Sequence, residues 1–118
     1  MISHEEALMQ CAALATAAAE SPVRQLRYEL RKRAREWSRA CEYLDDADEG
    51  EAAIELIGSI TSGMYAFRGA ADEPEDQWAY VVRVLMRDNQ ASLHLEDAMG
   101  RPIYQNYYGP SSPVVVKA

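Results

Sequence analysis

The side chains able to do chemistry are few and badly spaced for it. The histidines are His4 and His94, and the cysteines are Cys11 and Cys41. His94 stands two residues before Glu96 in a run that reads as a strand, which puts the two on one face. Without a nucleophile nearby, such a pair is an ordinary surface contact rather than a catalytic dyad. Cys41 falls on the apolar stripe of a helix, where burial raises the thiol pKa and leaves it inert. The chain carries no Walker loop, dinucleotide fingerprint, nucleophile elbow or metal-ligand spacing. The expectation is a protein that is not an enzyme and takes no cofactor and no metal.

Two acidic runs, Asp45 to Glu55 and Asp72 to Asp76, invite a calcium reading. An EF-hand loop counted from Gly50 would place Ala47 and Leu56 at ligand positions, and neither has a side-chain oxygen. Asp48, Glu49 and Glu51 read instead as the cap and first turn of a helix, favoured by its dipole.

The positive charge is concentrated elsewhere. Arg24, Tyr28, Arg31, Lys32, Arg35 and Arg39 recur along one side of a single segment, whereas the chain as a whole has a formal net charge of -7. Glu29 and Glu36 stand four residues from Arg33 and Lys32 and are placed to pair with them. A mixed row of arginine and tyrosine suits protein docking, because a guanidinium stacks and forks while a phenol brings apolar area with one polar tip. Nucleic acid is the less favoured partner, since phosphate-binding domains are usually basic overall.

These residues need a frame. Ser21 as N-cap and Pro22 at the first helical position start a helix. Val23, Leu26, Leu30, Ala34, Trp37, Cys41 and Leu44 then follow at steps of three and four, predicting a helix over 22–44 with Trp37 buried. Ser3 and Glu6 form a capping box for an earlier helix over 4–19, whose face of Leu8, Cys11, Ala12, Ala15 and Ala19 permits close packing. Ala53, Ile57, Ile60, Met64 and Phe67 predict a third helix over 50–68, capped by Gly69, despite the low propensity of Gly58 and Gly63. Pro74 marks an exposed connector.

From Trp78 the period is ambiguous. The turn formers Asp88 and Asn89, the alternation around Leu93 and Leu95, and the turn at 97–100 favour strands. The expected fold is therefore α+β: three N-terminal helices followed by a three-stranded antiparallel meander over 78–108. Tyr104, Tyr107 and Tyr108 fall on and around its last strand and join the candidate docking residues. Residues 1–110 form one domain, and 111–118 a flexible or β-adding C-terminal tail.

With 48% hydrophobic and 26% charged residues, the composition is that of an ordinary globular domain. The alanine-rich start lacks a basic n-region and a leucine-rich core, so it is not read as a signal peptide, and no run is long enough to cross a bilayer. Two cysteines without short spacing fit a reducing, cytoplasmic setting. This profile of a short acidic chain without chemistry resembles stand-alone inhibitors, antiactivators and immunity proteins. By that analogy the expected function is a non-enzymatic regulator that occupies a partner protein's surface. The alternatives are a nucleic-acid binder using the basic helix face, or a DNA mimic using the acidic runs. A homodimer is the expected assembly, because the alanine face is too small to cover the sheet, the tyrosine-rich strand and the Val114 to Val116 tail.

Overall fold

The computed structural model describes residues 1–47, 50–69 and 76–118. Two helices, α1 (His4–Glu20) and α2 (Arg24–Ala47), precede six strands: β1 (Ala53–Leu56), β2 (Tyr65–Phe67), β3 (Trp78–Arg87), β4 (Gln90–Glu96), β5 (Pro102–Tyr107) and β6 (Pro113–Lys117). All pairings are antiparallel, in the order β1-β6-β2-β3-β4-β5. The class is α+β, but three helices and a three-stranded meander are not what the chain forms. The strands β3, β4 and β5 are one half of a six-stranded sheet.

The third helix is the main correction. Within 50–68 lie β1, a short 3-10 turn at Ile57–Ser59 and β2. The helical stripe left out Ile54, which is fully buried. β1 pairs along β6, Ala53 with Val116 and Leu56 with Pro113, so the deciding partner lies some sixty residues away. Gly58, Gly63 and the β-branched isoleucines give the segment little helical propensity to resist that pairing. Gly69 does sit at φ +80°, but it follows β2, where a Cβ would lie 2.8 Å from the Tyr43 ring. Asp48, Glu49 and Pro74 lie outside the described residues.

Ser3 caps α1 as expected, its Oγ accepting the Glu6 N–H at 3.0 Å. The buried face is turned from the expected one: Ala7, Leu14 and Ala18 are buried while Leu8, Ala12, Ala15 and Ala19 are exposed. α2 begins two residues later than Pro22, because Ser21 Oγ reaches only the Val23 N–H, at 3.3 Å. Trp37 is buried, whereas Val23 and Leu26 at the start of the stripe are 55% and 44% exposed. α2 lies over β6 and β1.

The sheet is buried on both faces near its centre. Ile54, Phe67 and Val115 meet Leu14, Ala34, Trp37 and Cys41 of the helices in one core. Ala66, Val81, Leu93, Leu95, Val114 and Val116 form a second core on the opposite face with Ile57 and Ile60. The 111–118 tail thus supplies an interior strand, and its valine run reads as one buried on both sides. β5 and β6 are four strand places apart yet joined only through residues 108–112. A flat sheet would separate them by ~19 Å, close to the full reach of the link. The link also contains a turn, with Ser112 N–H donating to Gly109 O at 3.0 Å, so the sheet must curl around the second core.

Candidate docking groove along α2

Curling brings β5 and the 108–112 link beside α2, and Glu36 fastens them there. Its Oε2 accepts the Tyr108 N–H at 3.0 Å, and its Oε1 accepts the Ser112 hydroxyl at 2.7 Å. Ser112 is buried, and its Oγ takes the Gly109 N–H at 3.2 Å, so every polar group of this knot is paired. Two clefts open on either side of it. One, of about 400 Å³, lies between Gln25, Tyr28, Glu29 and Lys32 of α2 and Asn89, Gln90, Tyr107 and Tyr108. The other, of about 280 Å³, lies between Arg39 and Tyr43 of α2, Gln105 and Tyr107 of β5, and Phe67. Glu36, Asn106 and Tyr107 line both, so the two adjoin at the knot and together form a groove along α2.

The groove holds two phenols in their neutral form. Tyr107 donates to Gln105 Oε1 at 2.9 Å, and burial, helped by the nearby Glu36 carboxylate, pushes its phenol far above the ordinary tyrosine value. Burial, then a hydrogen bond to Glu29, raises the Tyr108 phenol as well. Both are therefore neutral donors at physiological pH rather than bases or nucleophiles. The Lys32 ammonium sits 5.3 Å from the Tyr28 ring centre and the Arg33 guanidinium 5.8 Å from that of Tyr108. These contacts hold cations against aromatic faces at the groove wall.

Of the residues singled out in the sequence, Tyr28, Lys32, Arg39, Tyr107 and Tyr108 come together along this groove. Arg24, Arg31 and Arg35 are exposed on α2 and line neither cleft. Tyr104 is 63% exposed on the outer face of the sheet, its ring 4.8 Å from that of His94. His94 also accepts from Arg83 Nε at 3.3 Å, so its neighbours come from β3 and β5, and no hydrogen bond joins it to Glu96. Cys41 is buried, and burial first, then the charges of Cys11, Asp45 and Glu42, raises its thiol pKa. Among the described residues no group of three or more His, Cys, Asp or Glu could hold a metal ion, and no helix is long and apolar enough to cross a membrane.

Glu36, Tyr43, Gln105 and Asn106 are among the groove residues that sequence reasoning missed. Glu36 was placed against Lys32 by helical spacing, but both its oxygens turn to partners 72 and 76 residues away. Glu29 likewise takes the Gln25 amide, at 3.4 Å, rather than Arg33. No local signal announces contacts at that separation. Of the acidic runs considered for DNA mimicry, Asp48, Glu49 and residues 72–75 lie outside the described residues. No family model, curated protein or solved structure matches the chain.

Proposed function

We propose that the chain is a small non-enzymatic regulator that binds another protein and inhibits or sequesters it by occupying its surface, in the manner of antiactivators, anti-defence proteins or immunity proteins. The observation that carries this reading is the groove. It gathers Tyr28, Tyr107, Tyr108, Lys32 and Arg39 along one helix, residue types favoured where proteins dock, around phenols that stay neutral. The two free thiols fit a reducing, cytoplasmic setting.

Affinity capture from the source cell tests the reading, with wild type compared against a Lys32→Glu/Arg39→Glu double variant. A partner held by wild type and lost at least about tenfold in the double variant is the expected outcome. An identical set of captured proteins would remove the groove from function.

A second reading has its own observation. Arg24, Arg31 and Arg35 stay exposed outside the groove and would suit a phosphate track. Binding of mixed-sequence DNA or RNA with an affinity that falls steeply as salt rises would favour it over protein docking.

A further inference from the structure

The sheet has two edges, and only one of them is unpartnered among the described residues. At the β1 edge, the Ile2 N–H donates to Ile54 O at 2.9 Å and forms a bridge there. β5, the other edge, has β4 on one side and no strand on its far side. Three observations fix which of its backbone groups point outward. Asp97 N–H donates to Arg101 O at 3.0 Å, so Arg101 faces β4 and Pro102 faces away. A proline, which has no N–H to give, is tolerated at such an outward position. Tyr108 N–H points away from β4 too, since it reaches Glu36 on α2. By the two-residue period, Tyr104 and Asn106 then carry the open N–H and C=O groups of the edge.

This open edge meets the groove at Asn106, which lines both clefts. The charges there are unequally committed. Glu29 is hydrogen-bonded by Gln25 and Tyr108, and Glu36 by Tyr108 and Ser112. No acidic partner holds Lys32 or Arg39 among the described residues. From Arg24 to Arg39, seven basic residues stand against two glutamates, in a chain of net charge -7. An edge left open in an acidic protein would invite self-pairing, and a neighbouring cationic row selects what may pair there.

We propose that β5 takes an extended acidic segment of the partner protein as a further strand at Tyr104–Asn106, with Arg39 and Lys32 binding its carboxylates. This rests on the protein-binding reading above and names the chemistry of its ligand. Main-chain bonds to the edge supply affinity without sequence preference, and the two cations supply the selection. Lys32 and Arg39 are two helical turns apart, ~10.5 Å, which an extended strand spans in about three residues. Such a spacing puts two carboxylates on opposite faces of the segment. That matches the clefts, since Lys32 lines one and Arg39 the other, so each carboxylate meets a cation of its own.

The test uses the full chain and a short synthetic peptide, roughly ten residues of threonine and valine with glutamates three positions apart. A lysine-for-glutamate version is the control. Binding is read by fluorescence anisotropy, and the site by backbone amide hydrogen exchange. The glutamate peptide is expected to bind at least about tenfold more tightly than the lysine version and to slow exchange at Tyr104 and Asn106. Arg39→Glu weakens it by a similar factor, and Asn106→Pro, which removes one outward donor without touching the β4 ladder, abolishes it. Should Asn106→Pro fail to fold, the amide exchange of wild type alone decides where the peptide lies. Binding without protection of those two amides, no binding, or equal binding of the two peptides overturns the proposal. If groove-dependent capture from the cell persists in any of those cases, the protein-binding reading stands and only the edge assignment falls. Dimers at micromolar concentration that Asn106→Pro dissociates would put a second copy on the edge and overturn it as well.

Discussion

Asp97 spends both carboxylate oxygens on the turn that joins β4 to β5. Oδ1 accepts from the Met99 and Arg101 N–H groups at 2.9 and 2.8 Å, and Oδ2 from Arg101 Nε at 2.7 Å. The backbone bond from Arg101, followed by its side-chain bond and the Met99 amide, outweighs desolvation and lowers the carboxyl pKa. A carboxyl held lower in the folded chain stabilises fully above its unfolded value of ~3.9 and loses that contribution as pH falls through the lowered one. Asp97→Asn is therefore expected to reduce the urea midpoint near pH 7, with the deficit shrinking as the solution is acidified through the lowered carboxyl value. A deficit of equal size at both would show that geometry, not charge, is what the residue provides. The same turn orients β5, so it acts on the groove through the register of Asn106 with Ser92.

At the scale of elements, α2 does two jobs with different residues. Trp37 is 6% exposed and sits between α1 and the sheet, while Leu26 on the same stripe is 44% exposed. Trp37→Ala is expected to cost ~3–5 kcal/mol, because the emptied volume lies among Leu14, Ile54 and Val115 and cannot readily collapse. Leu26→Ala should cost about 0.5 kcal/mol or less, as at other exposed sites. Denaturant titration of both variants checks this, and equal losses would mean that the first turns of α2 are covered by something. The stripe was legible because a helix repeats its contacts every three to four residues. Which end of it would be covered was not, since that depends on where β1 and β6 lie beneath it.

At the scale of the molecule, the C-terminal strand closes the fold. β6 lies between β1 and β2, and Val114, Val115 and Val116 contribute alternately to the two cores. Removing residues 113–118 is expected to abolish cooperative thermal unfolding, because it opens both cores and leaves β1 and β2 without a shared neighbour. Dichroism and calorimetry would show this, and a truncated chain that still unfolded cooperatively would mean that β6 is dispensable. The valine tail therefore cannot be spare surface for a second subunit, as reasoning from its position at the chain end had it. The exposed apolar residues lie elsewhere, among them Tyr65, Tyr80 and Leu85 on the strands.

The sequence by itself determined what short-range physics controls: the two N-terminal helices, the Ser3 cap, the burial of Trp37 and the strand character of the stretch after Trp78. Hydrophobic period, capping chemistry and turn residues act over a few positions, and all were visible there. Only the tertiary structure decided that 50–68 would be strand and turn rather than helix. Its apolar residues satisfied a helical stripe, and the pairing of Ala53 to Leu56 with Val116 to Pro113 outweighed it. The groove belongs to the same class. Tyr28, Lys32 and Arg39 were readable as one helix face, but their meeting with Asn106, Tyr107 and Tyr108 depends on the curl of the sheet. That curl follows from a link too short for a flat sheet and from Glu36, a side chain whose partners no local pattern could name.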